Sequence, residues 1–313
     1  MVPDATFTSY YGRPVVKASP WTVDIPVYLY LGGLAGASSL LAAGAQASDR
    51  PGLRRATRLT ALGAITGSFA ALVHDLGRPG RFINMLRVVK VTSPMSVGTW
   101  LLTVYGPAVG VAGAAELLPF LPERLQRSVI GRTSAAAAMP AGLVAAAVGP
   151  LVASYTAVLL SDTASPAWHE AHRELPFVFV GSAASAAGGM AMLTSPLTET
   201  APARALAVGG AALELAAEHR MERSMGMVAE ALHEGRAGRF LRGSKALTTT
   251  GAGLALLSTR SRALTALAGA MLTAGSACAR FAIFDAGQDS AKDPRYTVVP
   301  QRERLDRDGP TKG

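Results

Sequence analysis

The segment HDLGRPGRFINMLR, residues 74–87, places an imidazole, a carboxylate and three guanidiniums directly after a fifteen-residue run that carries no charge. The imidazole of His74 changes charge near neutral pH, so it can pass a proton between a reacting group and water. Asp75 is a second proton acceptor, although neighbours on a helix point about 100° apart and need not pair. The competing role for both is a polar cap that binds backbone or Arg78 at a helix end. Arg78 and Arg81 suit Asp75, a lipid phosphate or an acidic partner. Gly77, Pro79 and Gly80 are turn residues, so GRPG reads as a shaping element before a catalytic one.

Tyr155, in SYTAVLL, is the other residue with a clear chemical use, because its phenol can donate to a carbonyl oxygen. An interfacial tyrosine at a membrane surface is the alternative. Asp24 and Tyr30 flank the start of the first apolar run, and Ser96, Thr99 and Trp100 open the third. Each can line a pocket, cap a helix or pack. The HEAH stretch, residues 169–172, has its two histidines three apart with Pro166 just before, which is not zinc-protease spacing. Docking suits it better than metal.

Resident redox cofactors fit poorly. Cys278 is the only cysteine, whereas an iron–sulfur cluster usually takes four thiolates. The five histidines fall at a helix end (His74) or in two loops (His169 with His172, His219 with His233), not as facing pairs inside helices that would hold a haem. Neither haem nor an iron–sulfur cluster is therefore expected in this chain.

The elements that must position these residues are membrane helices. Of the 313 residues half are hydrophobic and 16% charged, and mean hydropathy is +0.28. Windows long enough to cross the hydrocarbon core run over 26–46, 57–73, 96–117, 134–160, 175–194, 203–217, 246–258 and 263–284. The sixth and seventh are short, and a re-entrant pair there would leave six crossings. Helices are required because unpaired backbone amides in lipid are costly, and the alternation of a barrel is missing. The class is an all-α integral membrane bundle of about eight helices with both termini on one side. A polar segment, residues 1–25, precedes the bundle over 26–284. The 218–245 connection reads as an amphipathic interfacial helix and 285–313 as a polar tail. Gly32 with Gly36, Gly63 with Gly67 and Gly106 with Gly110 have the spacing of close helix contacts, though an Ala/Gly-rich chain makes such pairs by chance.

On the side of the termini gather YYGRPVVKASPW (10–21), the 74–87 cluster, SPMSVGTW (93–100), the loop around HEAH and RFAIFDAGQDSAKDPRYTVVP (280–300). Trp21, Trp100 and Trp168 fit an interfacial belt. Short loops on the other side carry Arg50, Arg54, Arg55, Arg124, Arg127, Arg132, Arg260 and Arg262, which would make that side cytoplasmic and put the termini outside the cell membrane. More Lys and Arg in total lie on the side of the termini, many of them in the long 218–245 stretch and the tail. No nucleic-acid partner is expected. The opening segment has no cleavable signal. Almost no Asp, Glu, Lys or His falls in a helix centre, which argues against an ion-driven transporter and weighs against a proton pump.

In order along the chain, IPVYLYLGGLAGAS, DLGRPGRF, SPMSVGTW, YTAVLL and PAWHEAHRELPFVFVGSAASAAGG resemble the NrfD-type membrane subunits of polysulfide reductase and related molybdopterin oxidoreductases. The likeness covers roughly residues 10–195. It implies an eight-helix quinone-reactive anchor, not an enzyme alone, that exchanges electrons between menaquinone and a four-cluster ferredoxin-like iron–sulfur subunit. That subunit would be wired to a molybdopterin catalytic subunit. YYGRPVVKASPW is similar to members with formate dehydrogenase-like partners. The family's quinone-binding tyrosine matches Tyr155, with His74 and Asp75 as proton handlers and Asp24, Tyr30, Ser96 and Trp100 as further pocket residues. The contrasting expectation is a membrane transporter or a structural scaffold without quinone chemistry, although the inverted repeats of a transporter are not evident.

Overall fold

A computed structural model describes residues 13–78, 80, 84–258 and 260–308. Expectations on Pro79 and Arg81, and on the first residues of YYGRPVVKASPW, lie outside the described residues. Among the described residues there are eight long helices: α1 (Asp24–Ala47), α2 (Pro51–Asp75), α3 (Pro94–Leu117), α4 (Val129–Ser161), α5 (Leu175–Thr194), α6 (Ala201–Ser224), α7 (Gly235–Leu257) and α8 (Arg262–Lys292). A ninth, α9 (Arg295–Asp308), follows, and no strand occurs among the described residues. The chain is an all-α membrane protein.

Six of these helices, α1 to α5 and α8, are long and apolar enough to cross a membrane. The short sixth and seventh windows belong to much longer helices. α6 and α7 have 24 and 23 residues, about 36 and 35 Å at 1.5 Å per residue, yet neither is among the helices apolar enough to cross a membrane. Their ends are too charged to register as apolar runs. Part of that charge is paired, with Lys245 of α7 2.6 Å from Glu222 of α6.

The single amphipathic helix expected over 218–245 is therefore corrected. That stretch is the end of α6, two short helical turns to His233, and the beginning of α7. Gly226 and Gly235 take positive φ at its two breaks, a conformation that costs glycine little. His219 is accordingly inside α6, not in a loop. The expected polar tail from residue 285 begins as helix too, since α8 runs on to Lys292. At the junction with α9, Arg295 bonds Asp293 at 2.8 Å and holds its carboxyl below the usual carboxylate range.

Two four-helix sets, α1–α4 and α5–α8, meet along α1 and α5. Backbones touch where glycines leave out a side chain: Gly36 against Gly149 (α1 and α4), Gly181 against Gly210 (α5 and α6), Gly189 against Gly269 (α5 and α8). Of the glycine pairs noted in the sequence, Gly36 makes such a contact, while Gly63 and Gly110 face open space. Spacing within one helix does not say which partner lies opposite. At one end of the bundle Gln288 of α8 donates to the Ser19 and Trp21 carbonyls just ahead of α1, at 3.1 and 3.2 Å. The start of the first helix and the end of the eighth are thus tied together.

Candidate functional site

That tied end holds a cavity between α1, α2, α3 and α4. Its walls are largely apolar, from Ile25, Leu72, Met85, Met95 and Leu102 among others, and its polar groups are Tyr28, Asp75, Thr99 and Tyr155. Tyr155 reaches it because α4 places that ring directly over Gly98 of α3, where any β-carbon would overlap the aromatic carbons. The ring is buried. A phenol so placed can donate to a ligand inside an apolar chamber.

Asp75 is aimed by Thr22. The Thr22 backbone N–H donates to Asp75 Oδ1 at 3.0 Å, and the Thr22 hydroxyl lies 2.8 Å from the same oxygen and 3.0 Å from Asp24 Oδ2. Asp75 terminates α2, where Gly77 at φ +65° turns the chain and bonds back to the His74 carbonyl. His74 points elsewhere. It is 81% exposed, and its Nδ1 donates to Asp24 Oδ2 at 2.7 Å. The neighbours His74 and Asp75 thus part company, as their helical offset requires, and each finds a partner from the start of α1.

The remaining sequence candidates divide. Asp24 belongs to this network through Thr22 and His74, at the rim of the cavity. Tyr30 does not line the cavity; it lies close enough to Arg280 to feel its charge. Two positions apart on a helix is about 200°, so Tyr28, which the sequence reading passed over, is the tyrosine of IPVYLYL that enters. Ser96 and Trp100 sit beside a different, open groove lined by Val89, Val91, Val97 and Val148. Ser96 accepts from the Lys90 N–H and donates to the Val88 carbonyl, to which Trp100 Nε1 also donates at 3.4 Å. They fasten the 88–91 strap, whose valines are exposed. Thr99, one residue from Trp100, faces the cavity instead.

The histidines of HEAH each turn Nδ1 to a backbone carbonyl, His169 to Ser161 and His172 to His169. His169 belongs to a short helix, Pro166–Glu170, rather than a plain loop. Trp168 in that helix is not an interfacial residue. It is 1% exposed, its ring presses on Gly287, and its Nε1 donates to the Ile283 carbonyl at 2.8 Å. Trp21 stacks 5.7 Å from it and also borders the cavity. A second groove at this end shares Trp21 and carries polar groups, with Arg236, Asp285, Gln288, Asp289 and Lys292 on its walls.

Further from this end the bundle encloses ionisable groups that the sequence windows understated. Arg280 of α8 is fully buried, with its guanidinium 3.7 Å over the Phe179 ring and donating to the Phe179 carbonyl. Glu214 and Glu218 of α6 are buried as well, one helical turn apart, and Arg280 lies within electrostatic reach of Glu214. Ser182 donates to Ser276 at 2.8 Å, while both Glu214 oxygens lack a hydrogen-bond partner among the described residues. The expectation that helix centres hold almost no such groups therefore loses its force against proton translocation.

No curated protein matches the chain. The family described as Polysulphide reductase, NrfD matches residues 15–206, which span the cavity, the Thr22 network and the close contacts of α1 with α4. With six membrane-length helices and that match over more than half its length, the chain belongs to the polysulphide reductase NrfD family and is a membrane subunit of a quinone-reactive oxidoreductase complex.

Proposed function

We propose that the Tyr155 cavity receives the ring of a quinone, menaquinone in the first instance. The chain would then exchange electrons between that quinone and an iron–sulfur subunit docked at the same end of the bundle. The observation that carries this reading is the convergence of the Tyr155 hydroxyl and the Thr22-held Asp75 carboxylate on one largely apolar cavity. In the direction of quinol oxidation two O–H bonds break, releasing two protons and two electrons. Tyr155 orients one ring oxygen by hydrogen bonding, and Asp75 accepts a proton and hands it to water at the nearby surface. Asp24 and His74 extend that route at the rim. The electrons leave through the partner.

The polar groove that shares Trp21 with the cavity supports docking of the iron–sulfur subunit there. The partner assembly proposed is a four-cluster ferredoxin-like chain and a molybdopterin catalytic subunit of the formate dehydrogenase type, with the termini and this groove on the extracytoplasmic side of the cell membrane. In the purified complex, Tyr155→Phe should lower quinone-linked turnover while dye-linked activity of the catalytic subunit is kept. Unchanged quinone turnover would remove Tyr155 from the role. Equal loss of both activities would point to a structural scaffold instead.

A further inference from the structure

The opposite end of the bundle carries an unbalanced charge cluster that plays no part in the cavity. Arg54, Arg55 and Arg58 of α2 surround one carboxylate, Glu116 of α3, at 2.8, 3.7 and 2.9 Å. Three guanidiniums share one buried carboxylate, so two positive charges go uncompensated. Arg58, which is 7% exposed, also donates to Gln46 and to the Ala138 carbonyl, while its Nε and that of Arg50 about two turns earlier are buried without a hydrogen-bond partner among the described residues.

Other arginines at this end have structural employment. Arg262 caps the last carbonyls of α5, donating to Met192 at 3.0 Å and Ser195 at 2.8 Å, and Arg127 pairs with Glu123. Arg55 is less committed, with only a 3.7 Å pair to Glu116. It is half exposed, its guanidinium lies 5.5 Å over the ring of Phe120, and Phe120 is itself 70% exposed. Leu117 and Leu121 are exposed on either side of it. At the end of a membrane-length helix such apolar side chains meet acyl chains, and the guanidiniums stand at the depth of the phosphates.

We infer that Arg54 and Arg55, with Phe120 beneath Arg55, form a binding site for the phosphate of an anionic membrane phospholipid whose acyl chains lie along Leu117, Phe120 and Leu121. Guanidinium recognition of phosphate accounts for the excess charge, since paired N–H groups match two phosphate oxygens at once. The exposed Phe120 ring and the two leucines require that the phosphate arrive on a lipid. A partner's acidic segment would leave them uncovered.

Thermal unfolding of the full-length chain in neutral detergent tests this with three probes: phosphatidylglycerol, phosphatidylcholine with the same chains, and inorganic phosphate. Phosphatidylglycerol is expected to raise the midpoint and the other two to leave it in place. Arg55→Gln, at a half-exposed position the fold tolerates, should weaken the apparent phosphatidylglycerol affinity about fivefold. Native mass spectrometry should show one retained anionic lipid fewer for that variant. An equal shift with phosphatidylcholine or with inorganic phosphate would overturn the site, as would unchanged affinity in Arg55→Gln.

Discussion

The ring of Tyr155 occupies the space that a side chain at Gly98 would need, so the position of the phenol in the cavity depends on a hydrogen atom on the neighbouring helix. Gly98→Ala is expected to push the ring aside and to lower quinone-linked turnover nearly as far as Tyr155→Phe, with the protein still folded. Gly110→Ala on the same helix, which faces open space, is the control and should change nothing. Parallel assays of quinone-linked and dye-linked activity in the two variants check this. A Gly98→Ala enzyme with full quinone turnover would detach the ring position from function.

The division between His74 and Asp75 gives a second expectation. Asp75 lines the cavity and is fixed by two contacts from Thr22, whereas His74 is exposed and its pair with Asp24 is a surface interaction worth little. Asp75→Asn should therefore cut quinone turnover at least tenfold more than His74→Gln does, since general acid–base groups contribute about 10²–10⁴-fold. Steady-state rates of the two variants at saturating quinol decide it. The opposite order would move the proton route to the His74 rim.

Thr22 has a narrower role. Thr22→Val removes the hydroxyl that links Asp24 and Asp75 but keeps the backbone N–H that bonds Asp75. The expected cost in stability is about 1 kcal/mol, the usual worth of one side-chain hydrogen bond. The turnover loss should fall between wild type and Asp75→Asn, read from the same assay together with a thermal unfolding midpoint.

The class, the helix order and the gathering of Tyr155, Asp75 and Asp24 at one end were legible in the sequence, because apolar length and ordered motifs report them directly. What was not legible depends on partners far along the chain. Trp168 has the sequence context of an interfacial tryptophan, and its burial is decided by Gly287, well over a hundred positions later. Tyr28 and Tyr30 are equivalent in a window, and only the packing of α1 against α2 and α4 selects Tyr28. α6 and α7 looked short because Glu218, Glu222 and Lys245 interrupt apolarity, although paired charges do not interrupt a helix.

Trp168 and Gly287 also carry a stability expectation. The indole fills the place of a β-carbon on α8, so Gly287→Ala would overpack a fully buried ring, at about 1–3 kcal/mol. The unfolding midpoint of the complex should fall, with the ratio of quinone-linked to dye-linked activity retained at low temperature. A variant as stable as wild type would show that the short Pro166–Glu170 helix can yield without loss.

The buried Arg280 and Glu214 are expected to depend on each other. Arg280→Met leaves the guanidinium's place beside Phe179 apolar but strands Glu214 without its counter-charge, and loss of one member of a buried charge set costs about 3–5 kcal/mol. Glu214→Gln in that background removes the stranded carboxylate and should restore part of the loss, giving a coupling energy that a double-mutant cycle on the unfolding midpoint measures. Additive effects would mean that the two groups are held separately, Arg280 by the Phe179 ring and carbonyl alone. Recovery of stability without recovery of turnover would be more telling, because it would separate the structural worth of the pair from a part in moving protons through the α5–α8 half of the bundle.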